Sequence, residues 1–140
     1  MPAKDIFHNA VKQALIKDGW VITDDPLVIK LQDSDINLFV DLGAERLIAA
    51  EKANEKIAVE IKSFIGTSFM TDFHEALGQF LNYRVALKDR DPGRHIYLAI
   101  PLDIYDAFFS RRFVQLVHQE YNLAEIIFDP KQEVICSWIK

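Results

Sequence analysis

The chain is poor in the residues that build small secreted scaffolds. One cysteine, Cys136, stands among 140 residues, so no internal disulfide can form and a reducing compartment is expected. Five glycines and five prolines form no linker, no low-complexity stretch and no Gly-rich phosphate loop. No run of 18 apolar residues occurs, so no membrane span is expected. The opening "MPAKDIFHNA" carries no apolar segment of a secretory signal, and a cytoplasmic location is the expectation. A basic excess is missing too. The net charge of −5 argues against broad attraction to nucleic acid, while leaving room for a local basic groove or an acidic site offset by a cation. His74, His95 and His118 are dispersed, without zinc-ligand spacing. Asp33 and Asp35 in "QDSDIN" lack the Gly and distal Glu of a calcium loop, so a turn is expected there.

What is present is the composition of an ordinary globular domain: 50% apolar and 26% charged residues. A single domain over residues 1–140 is expected. A helix is predicted from about Ala3 to Asp18, since Ile6, Phe7, Ala10, Val11, Ala14 and Leu15 recur at helical spacing and Gly19 ends it. "WVITDD" and "LVIKL" read as short strands joined by a turn. "DINLFVDLG" reads as one strand, with Ile36, Leu38, Val40 and Leu42 on one face and Asn37, Phe39 and Asp41 on the other. In "AERLIAAEKANEK" composition favours helix, but the position between strands favours a hairpin arm ending near Asn54, and the hairpin is the reading taken.

"KIAVEIKSF" follows as a strand with Ala58, Glu60 and Lys62 on one face and Ile57, Val59 and Ile61 on the other. "TDFHEALGQFLNYRVALKD" is a second long helix, with Thr71 as its N-cap. "HIYLAI" is apolar throughout and is predicted to be a central strand buried on both faces, ended by Pro101. A helical region from Leu102 to Tyr121, broken near Ser110–Arg112, precedes two closing strands, "AEIIFD" and "EVICSWI". The order α-β-β-β-β-α-β-α-β-β implies an α/β fold with a mixed sheet flanked by helices.

Three residues on these strands could carry chemistry: Asp41, Glu60 and Lys62. If their strands are neighbours, two carboxylates and an ammonium converge, with the Ile61 carbonyl between the pair as a further oxygen. Mg²⁺ takes one or two carboxylates plus waters. A lysine beside a metal-bound water can orient it or stabilise charge on a phosphoryl transition state. Taken alone, Glu-x-Lys on a strand is most simply a solvated face, and such a pair contributes about 0.2–1 kcal/mol. Gln79 and Tyr83 lie four apart on one helix face; they read either as helix-boundary and core-edge residues or as groups reaching toward the site. Arg111 and Arg112 read as a helix-end cation pair in preference to a phosphate contact.

Asp41, then "VEIK", then Gln79-x-x-x-Tyr83 resembles the PD-(D/E)XK nuclease superfamily, in the branch that adds a Q-x-x-x-Y helix motif. The resemblance implies a restriction-endonuclease-like α-β-β-β-α-β core. It makes Asp41 and Glu60 ligands of Mg²⁺ or Mn²⁺, Lys62 the lysine that assists the attacking water, and Gln79 and Tyr83 auxiliary site residues. Val40 stands where the motif carries proline. Many relatives add a Glu in the first helix; here Asp5, His8 and Lys12 share a face of it, and His8 is read as a surface histidine or a substrate contact.

Over nearly its whole length the chain is similar to the XisH family, on "MPAKDIFHNAVKQALIKDGW", "DLGAERLIAAEKANEKIAVEIKSF", "ALGQFLNYR" and "YLAIP". That family is named for a cyanobacterial factor controlling excision of the fdxN element, and its relatives commonly accompany XisI-type proteins. The resemblance therefore implies a metal-dependent endonuclease acting on DNA in element excision. The alternative is a catalytically inactive regulatory module that binds a recombinase or an XisI-like partner. Many nucleases of this fold pair to cut both strands, so a homodimer is the assembly to test. A third reading makes the Asp-Glu-Lys grouping an accident of strand faces.

Overall fold

A computed structural model describes residues 4–32, 35–48 and 53–140. The Asp33 half of the expected "QDSDIN" turn and the predicted helix start at Ala3 lie outside them. In chain order the elements are α1 (His8–Lys17), β1 (Val21–Asp24), β2 (Leu27–Lys30), β3 (Asn37–Val40), β4 (Leu42–Ile48), β5 (Ala53–Ile61), α2 (Phe69–Arg90), β6 (Arg94–Pro101), α3 (Leu102–Ile104), a π-helical turn (Tyr105–Phe109), α4 (Arg112–Tyr121), β7 (Glu125–Asp129) and β8 (Val134–Ile139). Six strands form one sheet in the order β1-β4-β5-β6-β7-β8, and β2 and β3 form a separate two-stranded ribbon. β5, β6 and β7 run parallel, and the outer pairings are antiparallel. The fold is α/β, a mixed sheet with helices on both faces, as the element order implied.

Alternation along the strands divides the core in two. Ile57, Val59, Ile61, Tyr97, Ala99, Ile126 and Phe128 face α1, where they meet Val11, Leu15 and Trp20. Ala58, Ile96, Leu98, Ile100 and Ile127 face α2, where they meet Phe73, Ala76, Phe80 and Leu87. From Ile96 onward β6 serves both layers and has no polar face to present, which is why residues 96–101 are continuously apolar. Each fully buried phenylalanine or leucine in these layers contributes about 1.5–3 kcal/mol.

Three expectations are corrected. The first helix begins at His8, because Asp5 turns the chain just before it: its side chain accepts from Phe7 N–H and its carbonyl from His8 N–H. The second helix begins at Phe69, and its N-cap is Ser68, whose hydroxyl accepts from the Thr71 N–H at 3.2 Å. "DINLFVDLG" is two strands. Val40 belongs to the layer under α2 and Leu42 to the layer under α1, although both were placed on one face. The chain leaves the ribbon and enters the main sheet at Asp41, so the alternation resets there and five strands, not four, precede α2.

Other readings hold. Gly19 ends the first helix at φ 93°, a conformation that favours glycine. The described parts of the ambiguous segment, 44–48 and 53–56, are antiparallel strand arms as the hairpin reading had it, β4 pairing with β5 from Leu42↔Val59 to Ile48↔Ala53, and residues 49–52 lie outside the described residues. The third helical region is broken at Ser110 and Arg111, where Arg111 Nε donates back to the Ala107 carbonyl and its guanidinium covers Phe108. It thus serves the end of the π-helical turn, as a helix-end cation does. Among the described residues no helix is long and apolar enough to cross a membrane.

Candidate active site

The residues marked on the sequence meet at one place. A cleft of about 280 Å³ at the C-terminal end of β5 is lined by Asp41, Glu60, Ile61, Lys62, Gln79 and Tyr83, together with Asp5, Ser63, Asp72 and Glu75. β5 brings Glu60 on the face that carries Ala58. The Lys62 N–H donates to the Ala99 carbonyl at 3.1 Å, which prolongs the strand path by one residue and keeps Lys62 on the Glu60 face.

Asp41 and Glu60 clasp one another. The Asp41 N–H donates to Glu60 Oε1 at 3.3 Å, and the Ile61 N–H donates to Asp41 Oδ2 at 2.7 Å. β3 pairs with β2, and the ladder to β5 begins only at Leu42↔Val59, so the Asp41 side chain satisfies the Ile61 N–H that a strand would have taken. Within a strand the N–H and C=O of one residue point the same way. Lys62 N–H turns to β6, so both main-chain groups of Ile61 turn to Asp41 and into the cleft.

The surroundings of the two carboxyls disfavour a second negative charge. Burial raises the Asp41 pKa, and the nearby Asp5 raises it further, against the Ile61 N–H and the charge of His8. Glu60, 7% exposed, is held well above the ordinary carboxylate range by burial and then by Asp41, with Lys62 opposing. The pair therefore retains a proton above the pH at which an ordinary carboxylate has lost it. The Tyr83 phenol is pushed up by burial and by both carboxylates.

α2 supplies the opposite wall. Tyr83 donates to the Phe39 carbonyl at 3.1 Å and so holds the end of β3 just before Asp41. Gln79 Oε1 is buried without a hydrogen-bond partner. One turn earlier, Glu75 receives Lys62 Nζ at 2.6 Å. Asp72 closes the floor: its Oδ2 accepts the Gly66 N–H at 3.0 Å, and a Cβ at Gly66 would meet that oxygen at 2.7 Å. Asp5 Oδ2 accepts the Ser63 N–H at 3.0 Å, which brings a fifth carboxyl side chain to the cleft.

Glu75 was not among the residues read from the sequence, although its place four residues before Gln79 puts it on the same face. Asp5 gave no such signal, because the turn carrying it is not periodic. His8 is corrected from a surface residue: it is 6% exposed, and its Nε2 lies 2.7 Å from Asp25 Oδ1, while Lys12 holds Asp25 Oδ2 at 2.8 Å. It lines a small neighbouring pocket with Asp25, Phe39 and Asp41 and is not among the residues that line the cleft. Among the described residues no group of three or more His, Cys, Asp or Glu side chains has the arrangement of a metal site. Of the five carboxyl side chains that line the cleft, Asp41 and Glu60 are the two that hold each other, with the Ile61 main chain between them.

Fold and cleft together define an α/β protein with an acidic pair and a lysine at the end of a parallel strand. The chain belongs to the XisH family, whose model, described as XisH protein, matches residues 1–136. It is similar to the crystal structure of an XisH family protein from Nostoc punctiforme PCC 73102, with 48% identity over 97% of this chain and 100% of that one and a TM-score of 0.87. It is also similar to the crystal structure of a fdxN element excision controlling factor protein from Anabaena variabilis, with 46% identity over 98% of this chain and 100% of that one and a TM-score of 0.87. No curated protein matches it.

Proposed function

We propose that this chain is a Mg²⁺- or Mn²⁺-dependent DNA endonuclease with a restriction-endonuclease-like PD-(D/E)XK core, acting in the excision or rearrangement of a DNA element. The observation that carries the reading is the Asp41–Glu60 pair. A buried and a half-buried carboxyl clasped together by main-chain hydrogen bonds, both held above their ordinary pKa first of all by burial, form a set that a hard divalent cation would relieve, since it takes one or two carboxylates and fills its shell with water. The buried Gln79 Oε1, without a partner, supports the same reading by leaving an acceptor for a metal-bound water or a substrate group.

Asp41, Glu60 and the Ile61 carbonyl would hold the ion. When bound, it supplies Lewis acidity at a phosphoryl oxygen and lowers the pKa of its water. Lys62, from the Glu60 face, orients the attacking water and stabilises charge on the phosphate oxygens. Gln79 positions that water, and Tyr83 keeps Asp41 in register through the Phe39 carbonyl.

The test is cleavage of supercoiled, linear and single-stranded DNA with Mg²⁺ or Mn²⁺, with and without an XisI-like partner. Glu60→Ala and Lys62→Ala abolish metal-dependent cleavage and keep the circular dichroism spectrum of the folded protein. Wild type that cuts no form of DNA with metal and partner present sinks the proposal.

A second reading, a regulatory module that binds a recombinase or an XisI-like protein, draws on one observation: the Lys62 ammonium is engaged by Glu75 at 2.6 Å. Stable capture of such a partner, together with no Mn²⁺ heat in calorimetry, selects it. Sedimentation of the free chain tests the homodimer.

A further inference from the structure

A second cleft, of about 460 Å³, opens at the other end of the sheet. It forms because β6 outruns β7. Arg94 to Tyr97 pair with β5, but pairing with β7 begins only at Leu98↔Glu125. The cleft lies beside Glu55, five residues back along β5 from Glu60, or roughly 17 Å at the rise of a strand. Its α2 wall is the stripe Phe80, Arg84 and Lys88, next to the stripe that lines the first cleft.

Its charge runs against that of the chain. Arg84, Lys88, Arg94, His95 and Lys140 line it against one carboxylate, Glu55. Glu55 is paired with Arg46 at 2.9 Å, and Arg94 with Asp91 at 2.9 Å. Arg84 is held by neutral acceptors, the carbonyls of Tyr121 at 2.6 Å and Asn122 at 3.3 Å, and by the Phe80 ring at 4.8 Å. Its geometry is fixed while its charge is not cancelled, and its other N–H donors remain for a ligand. Among the described residues neither Lys88 nor Lys140 is in an ion pair. The backbone adds a donor. Leu98 N–H bonds the Ala124 carbonyl on the β7 side, and Ile96, two residues earlier, turns its N–H the same way, into the cleft.

We infer that this cleft binds a phosphate monoester, carried by a nucleotide or by the 5′ end of a nucleic-acid strand. An immobilised guanidinium, an ammonium one turn away and a backbone N–H suit a dianion with several acceptor oxygens, and the volume is that of a small-ligand site. The inference does not depend on the proposed nuclease site.

The experiment is amide and Arg Nε–Hε NMR of the full chain, titrated with AMP, with 5′-phosphorylated and 5′-hydroxyl single-stranded hexanucleotides, and with citrate. AMP or the phosphorylated strand shifts Ile96, Lys88 and Arg84 Nε at concentrations at least tenfold below those needed for the 5′-hydroxyl strand or citrate. Which of the two acts first separates a nucleotide from a strand end. Lys88→Gln, at an exposed position, weakens that binding about tenfold, as loss of a charge-assisted hydrogen bond does. Glu60→Gln leaves it unchanged, so failure here and failure of the nuclease reading are told apart. Shifts absent with both phosphate probes, equal shifts with citrate, or unaltered binding by the Lys88→Gln protein would overturn the inference.

Discussion

Lys62 Nζ lies 2.6 Å from Glu75 Oε1, so a side chain of α2 sets where the ammonium at the end of β5 points. The pair bridges two walls of the cleft, the sheet and the helix that follows it. Glu75 is largely exposed, 56% at its side chain, whereas Lys62 is 17% exposed. The anchor is therefore on the solvent side, and the group it anchors is inside.

Glu75→Gln tests that anchoring. An ion pair with an exposed partner contributes less than about 1 kcal/mol, so urea unfolding at neutral pH changes little. On the proposed nuclease reading, DNA cleavage falls about tenfold, because Lys62 loses its fixed position and keeps its charge. A variant that unfolds as wild type does and cuts at the wild-type rate would show that the contact is incidental.

The carboxyl pair predicts a pH dependence in the metal-free protein. Asp41 and Glu60 are both raised above their ordinary values of 3.8 and 4.5. A carboxyl raised by folding contributes its stability fully below the unfolded pKa and loses it as pH rises toward the folded one. With chelator present, wild type is expected to lose stability from about pH 4.5 upward. Glu60→Gln removes that loss and is more stable than wild type at pH 8 by at least about 1.4 kcal/mol, the equivalent of one pKa unit. Parallel stability–pH curves for the two proteins would contradict the buried pair.

Tyr83→Phe removes the hydrogen bond to the Phe39 carbonyl and leaves the ring. The expected cost is about 0.5–1.5 kcal/mol in chemical denaturation. The carbonyl left behind is at the end of β3, so amide exchange at Val40 and Asp41 should quicken more than exchange in β6. Uniform quickening across the sheet would mean that Tyr83 acts only through packing.

A second titrating pair lies under α4. Glu125 is 1% exposed, and burial pushes it up to about 8. Its Oε1 lies 2.5 Å from His118 Nδ1 without hydrogen-bond alignment, and burial lowers the histidine. Both groups favour their uncharged forms. The Glu125 contribution is present below pH 4.5 and is lost as pH rises through about 8. The His118 contribution runs the other way, present above 6.5 and lost below it. Glu125→Gln should raise the pH at which thermal stability begins to fall on the alkaline side, while His118→Gln should extend stability on the acid side. An unchanged alkaline limb in Glu125→Gln would overturn the first.

How legible the molecule was follows from the reach of each signal. The α2 face was readable because Gln79 and Tyr83 lie four residues apart, and a helix turns that spacing into a wall whatever packs against it. β6 was readable because a strand covered on both faces cannot hide a polar side. The break at Asp41 was not. Leu38, Val40 and Leu42 alternate without interruption, yet the chain changes sheets between them, and only the partners of each strand reveal it. The same holds for His8, whose burial depends on Asp25 arriving from the β1–β2 turn, and for Asp5, which reaches the cleft because Ser63 binds it. The lysine was placed correctly, but its partner on α2 was a matter of tertiary distance.

The passage of the chain from ribbon to sheet at Asp41 makes that residue a hinge pin. One carboxyl of the pair rides on the joint between two separately bonded layers, and the other is fixed in the middle of the larger layer. The spacing of the two acids is thus set by how the ribbon packs on α2, through Ile29 and Val40 in the core and through the Tyr83 bond to the Phe39 carbonyl.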